Sequence, residues 1–119
     1  MDISAWKKFS SEGSGKAIGV LPSRQARLSP EQRKAVWSWH APDADKQFES
    51  ATSGALAGVP FAAKDLFHVK GIPTMAGGRL AQRPARRTSR MIARLKSAGA
   101  VLTGKTQLHE FAYGLTGEN

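Results

Sequence analysis

Apolar positions along the chain follow two different periods. Met91, Ile92, Leu95 and Ala98 fall at i, i+1, i+4 and i+7, the spacing that gathers side chains on one face of an α-helix. Arg90, Arg94 and Lys96 point elsewhere in that pattern, Thr88 stands where a cap is needed, and Gly99 supplies the stop. Two short runs lack helical period: Val59-Pro60-Phe61-Ala62-Ala63, introduced by Gly58, and Ala100-Val101-Leu102, closed by Gly104. Short apolar runs bounded by glycine read as buried strands, and Pro60 is tolerable near a strand's start. Between them, Gly71-Ile72-Pro73-Thr74 and Ala76-Gly77-Gly78 make residues 71–80 a loop.

Upstream, Ser29-Pro30-Glu31-Gln32 carries a helix-start signature: Ser29 caps, Pro30 suits the first helical position, and Gln32 completes a capping box. The helix is predicted to run to about His40, because Pro42 disfavours helical geometry at Ala41. Val36, Trp37 and Trp39 would form its apolar side. A second short helix is expected after Asp43, with Phe48 and Ala51 inward and Gly54 ending it. Residues 10–28, with their Ser/Gly cluster and Pro22-Ser23, read as a linker. Residues 107–113 could add one or two helical turns. No repeat of 20–50 residues is visible.

Helix, strand, loop, helix, strand in that order implies an α/β fold with parallel strands and a crossover helix. Two or three strands do not finish a parallel sheet, which needs both faces covered. The expected architecture is therefore an incomplete mixed sheet covered by helices. Residues 1–53 form a helical lead-in, and residues 54–119 form the opening part of a larger domain.

Composition narrows the function. The chain has 119 residues and no cysteine, which excludes a disulfide framework, a thiolate zinc site and a cysteine nucleophile. No apolar run approaches the roughly 20 residues of a membrane span, and the first residues lack the apolar segment of a signal peptide. A cytoplasmic protein is the expectation. Lys and Arg number 18 against 9 Asp and Glu, and residues 79–96 hold seven basic side chains with no acid. Such a block suits an anionic partner or a solvated helix face. Arg87, Arg90 and Arg94 share a helical stripe, but no aromatic side chain interleaves with the arginines for base stacking. A non-catalytic basic module binding nucleic acid is kept as the alternative function, although a nucleic-acid partner is not expected.

Several patterns touch on chemistry. Gly99-Ala100-Val101-Leu102-Thr103-Gly104-Lys105-Thr106 satisfies G-x-x-x-x-G-K-[ST], the phosphate-binding loop. Its context is wrong: a helix precedes it, and its variable residues are themselves a buried strand. His40, His68 and His109 have no metal-ligand spacing, and Tyr113 stands where H-E-x-x-H needs its second histidine. No metal or cofactor is expected. Lys64 ends the small-residue strand Ala62-Ala63-Lys64. An ammonium held against an apolar interior loses hydration, so its pKa falls and a neutral amine becomes available as a base. The competing reading is a lysine that snorkels to solvent. Asp65, its neighbour, points to the opposite face of a strand and cannot pair with it side by side.

Taken together, four ordered blocks resemble the amidase signature family. Gly54-Ala55-Leu56-Ala57-Gly58-Val59-Pro60-Phe61-Ala62-Ala63-Lys64-Asp65 is similar to its G-x-L-x-G-V-P-x-x-x-K-D segment. Gly71-Ile72-Pro73-Thr74-Met75-Ala76-Gly77-Gly78 resembles G-L-P-T-T-A-G-S. Residues 95–106 resemble L-R-A-A-G-A-V-L-L-G-K-T, and His109-Glu110-Phe111-Ala112-Tyr113-Gly114 with Thr116-Gly117-Glu118-Asn119 resembles H-E-F-A-x-G…T-G-E-N. The resemblance implies hydrolysis of a small-molecule amide by a Ser–cis-Ser–Lys triad, with Lys64 as general base. It implies a place for Ala112 and Tyr113 in the acyl pocket. Both family serines lie beyond the T-G-E-N run, so this chain is expected to be an inactive N-terminal portion.

Overall fold

A computed structural model describes residues 2–11, 20, 23–24, 26–80 and 82–114. Most of the expected linker at 10–28 and the whole T-G-E-N run therefore lie outside the described residues. Helix α1 (Ile3–Ser11) runs into the start of that linker. Asp2 Oδ1 accepts the Ala5 N–H at 2.7 Å at its start, and Trp6 Nε1 donates to Gly58 O at 2.6 Å.

Helix α2 (Pro30–Val36) begins with the capping box read from the sequence: Ser29 Oγ accepts Gln32 N, and Gln32 Oε1 accepts Ser29 N. It ends earlier than expected. Trp37 turns extended at φ −112° and ψ 121°, and Trp37–His40 is strand β1, not a helical turn. The reason is a non-local partner. Strand β3 (Val101–Thr106) takes β1 alongside it antiparallel, with Trp37 opposite Thr106 and His40 opposite Gly104. Gly104 is what lets the two backbones close: a Cβ there would come 2.6 Å from Trp39 O and 2.8 Å from the Trp37 ring. Aromatic residues suit such a pleated, half-buried surface, and the ladder outweighs local helix propensity.

Helix α3 (Ala44–Ser50) buries Phe48 as expected, leaves Ala51 half-buried and stops four residues before Gly54. Strand β2 (Pro60–Lys64) and β3 are parallel, Pro60 opposite Val101 and Lys64 opposite Thr106, with an irregularity between Phe61 and Ala62. Sheet order is β1-β3-β2, so β3 is central and the sheet is mixed. Helix α4 (Arg90–Ser97) makes the crossover. Its N-cap is Ser89, not Thr88, and neither hydroxyl caps it. Ser89 Oγ accepts His68 N at 2.8 Å and Thr88 Oγ1 accepts Lys70 N at 3.1 Å, so both are spent on holding the loop before the helix. Ile92 is buried and Leu95 and Ala98 half-buried, but Met91 is 60% exposed. Ile92 takes the edge of the apolar stripe that meets the sheet, and Met91 lies near the other edge.

Gly99 ends α4 with φ +89°, and a Cβ there would come 2.2 Å from Ser53 O. The tight contact lets residues 51–58 pack against the helix end, with Leu56 N on Ala98 O at 2.7 Å and Gly58 N on Gly99 O at 3.1 Å. The core is Ala63, Val69, Ile92 and Leu102, with Trp39, Phe61, Phe67 and Ile72 packed around it. Residues 110–112 make a single 3₁₀ turn, shorter than the one or two helical turns read from the sequence.

Candidate active site at the ends of β2 and β3

In a parallel pair, functional groups gather beyond the carboxyl ends of the strands. Here those ends present Lys64 and Lys105, and the two lysines differ completely. Along β2, Ala63 is buried while Ala62 and Lys64 are exposed. Lys64 therefore lies on the uncovered side of the strand, and its Nζ makes no hydrogen bond or ion pair among the described residues. Lys64 is exposed in this structure because strand alternation puts Ala63 into the core and turns Lys64 outward.

Lys105 is 0% exposed. Its Nζ forms an ion pair with Asp65 Oδ1 and donates to Pro73 O and Thr74 Oγ1, each at 3.0 Å. An ammonium has three N–H bonds to give: two go to these oxygens, and the ion pair with Asp65 adds the charge contact. Asp65 is 1% exposed. Its Oδ2 accepts Met75 N at 3.2 Å, its carbonyl accepts Ala76 N at 3.0 Å, and its own N–H donates to Thr106 O at 3.1 Å. Thr74 Oγ1 lies 2.9 Å from His68 Nδ1. The network thus runs from His68 through Thr74, Lys105 and Asp65 to the turn at 75–76.

This arrangement disposes of the phosphate-loop pattern. Residues 101–106 are the central strand, and Lys105 points inward to a carboxylate rather than outward to a ligand. The sequence signalled both partners, Lys105 through a misleading motif and Asp65 through the Lys64-Asp65 dipeptide. It did not signal their pairing, which follows from Ala63 lying opposite Lys105 in the sheet.

Ala112 and Tyr113 follow the start of the 3₁₀ turn, where Phe111 and Ala112 adopt φ of +50° and +61°. Both are exposed, Tyr113 to 93%. The turn reaches the same loop that Asp65 holds, since Phe111 N donates to Ala76 O at 2.7 Å. No hydrogen bond joins Tyr113 to Lys64 among the described residues. His40 ends β1 with its ring 5.1 Å from that of Trp37. Among the described residues no group of His, Asp and Glu could hold a metal ion. No helix among them is long and apolar enough to cross a membrane. Arg83, Arg86, Arg87, Arg90 and Arg94 are all solvent-facing, and Arg87 precedes α4 rather than sharing its stripe.

The family model for amidases matches residues 31–119. The chain belongs to the amidase family. AtzE, the 1-carboxybiuret hydrolase subunit of Pseudomonas sp. (strain ADP), is 48% identical over 66 residues, covering 54% of this chain and 14% of that protein. A glutamyl-tRNA(Gln) amidotransferase subunit of Pseudomonas syringae pv. tomato (strain ATCC BAA-871 / DC3000) is 37% identical over 97% of this chain and 25% of its own length. Among solved structures, a crystal structure of an amidase superposes on the whole chain with TM-score 0.79 and 34% identity, covering 30% of that protein. The structure of 6-aminohexanoate cyclic dimer hydrolase complexed with substrate matches 93% of the chain at TM-score 0.76 and 25% identity. The chain thus spans a quarter or less of the named curated relatives, and its three-stranded sheet is a portion of the fold of these solved amidases. Nothing among these relatives favours the basic nucleic-acid module.

Proposed function

We propose that the complete protein hydrolyses the C–N bond of a small-molecule amide in the cytoplasm, with Lys64 as general base. The observation that carries this reading is the contrast at the strand ends: Lys105 is wholly engaged in the interior, while Lys64, opposite Thr106, is free on the open side of the same sheet. A base must be able to lose its proton and reach its partner. Lys105, buried and held by Asp65, Pro73 and Thr74, is not placed to reach one.

In the amidase reading, the Lys64 amine takes the proton of a bridging serine as that serine takes the proton of the nucleophile. The nucleophilic Oγ attacks the amide carbonyl. The C–N bond breaks, the proton passes to the leaving nitrogen, and water hydrolyses the acyl-serine. Both serines would come from the part of the relatives that this chain does not span. Ala112 and Tyr113 supply one wall of the acyl pocket, set by the 3₁₀ turn against the 75–76 loop.

Ammonia release from acetamide, benzamide and a C-terminally amidated dipeptide tests the proposal. The 119-residue chain by itself releases none. The full-length protein does, and Lys64→Ala lowers that rate by about a thousandfold or more, as loss of a proton-transfer group does. Turnover that survives Lys64→Ala would sink the assignment.

A further inference from the structure

Lys105 and Asp65 are the buried charged side chains among the described residues. Their contacts converge on the residue next to Lys64. Asp65 is held by Thr106 O, the Lys105 ammonium, Met75 N and Ala76 N. On the other side of Lys64, Ala63 is buried in the core and lies opposite Lys105. Lys64 is therefore fixed through both of its chain neighbours, while its own side chain makes no hydrogen bond or ion pair among the described residues.

We infer that Lys105 is a positioning residue for the reaction: by gripping Asp65, Pro73 and Thr74 it sets where the Lys64 amine stands and ties the 73–76 turn to the same point. The inference rests on Lys64 being the base. Lys105 touches no reacting atom and exchanges no proton in the reaction. It acts because its ammonium, through two hydrogen bonds and the ion pair, joins three segments: β3, which carries it, the residue that follows β2, and the turn after it. An apolar side chain of similar length would fill the space but direct none of them. Without the grip, Asp65 can leave the interior, and strand alternation at 63–65 is no longer enforced.

A fluorophosphonate probe, whose phosphorus is attacked by a base-activated serine with loss of fluoride, tests this in the full-length protein without knowledge of the substrate. For Lys105→Met the expected result is a kinact lowered about a hundredfold with KI within about threefold, the loss that a misplacement of about 1 Å produces. Thr74→Val removes one of its two hydrogen-bond acceptors and lowers kinact about fivefold, with an unchanged melting temperature. If Lys105→Met does not fold, Thr74→Val alone decides, and a kinact within about twofold of the unsubstituted protein overturns the inference. It is equally overturned if the loss falls in KI rather than kinact. Lys64→Ala, run beside them, separates the two ideas. Silent Lys64→Ala with fully reactive Lys105→Met and Thr74→Val removes the positioning role and leaves the base. Reactive Lys64→Ala removes the base, and the positioning role with it.

Discussion

At the scale of single residues, the chain spends its buried ion pair on geometry. Taking two charges out of water is costly, and removing one partner leaves the other uncompensated, typically at about 3–5 kcal/mol. Lys105 and Asp65 offset that cost through their mutual attraction, the two hydrogen bonds that Lys105 gives and the one that Asp65 Oδ2 accepts. Lys105→Met and Asp65→Asn should each destabilise by about that amount, and the double variant by clearly less than their sum, with a coupling above roughly 1 kcal/mol. Urea denaturation of the four proteins measures it, and additive losses would mean that the charges do not depend on each other. The pairing is not legible in the sequence. Alternation shows that Asp65 cannot pair with Lys64 side by side, but naming its partner requires the register of two strands some 40 residues apart. The exposure of Lys64 is hidden for a related reason: an apolar run shows that a strand is buried, not which of its last two residues faces inward.

At the scale of elements, what the sequence encodes locally is present and what it encodes by pairing is not foreseen. The capping box at Ser29, the helix stop at Gly99 and the two short apolar strands each depend on neighbours within a few positions, and each is present. The end of α2 depends on β3. Trp37 and Trp39 alternate with Ser38 and His40 as strand residues do, but four residues directly after a capped helix are too few to outweigh its continuation, so the sequence alone carries the helix on to His40. Because α2 has no buried residue, its stability comes from its cap rather than from packing. Ser29→Ala should therefore weaken α2 by about 1 kcal/mol. The effect should appear as faster amide exchange over residues 33–36, with little change in the global melt. A melting temperature that falls while α2 exchange stays the same would contradict this account. Glu31 adds a pH dependence. Its carboxyl is held below the ordinary value by its own backbone N–H and then by the Ser29 hydroxyl. A depressed carboxylate stabilises above its unfolded pKa and loses that contribution as the pH falls through the folded one. The same exchange experiment should thus show α2 loosening on acidification.

At the scale of the whole molecule, the core and the site belong to one continuous stretch. Ala63, Val69, Ile92 and Leu102 form the core, and Asp65, Pro73, Thr74 and Lys105 form the buried network, all between residues 61 and 105. That stretch is the β2–α4–β3 crossover, the part most legible in the sequence, because a strand, an amphipathic helix and a second strand in succession leave one common right-handed arrangement. The 79–96 basic block falls in its outer loop and on the solvent side of α4, with every arginine there that the structure describes exposed; it is a solvated surface, and most of the +9 formal charge sits on it. Elements outside the crossover attach to it rather than build it. α1 is tied through the Trp6 hydrogen bond to Gly58, and β1 through its ladder to β3. In this sheet β3 is paired on both sides. Its amides and those of β2 lie over the core and should open only with global unfolding, whereas α1 and α2 should open locally at far lower cost. Native-state hydrogen exchange should rank residues 101–105 and 61–63 slowest, with α1 and α2 fastest by several orders of magnitude. Equal protection of α2 and β3 would show that the lead-in helices fold as one unit with the crossover, and that the site's frame depends on the whole chain rather than on residues 61–105.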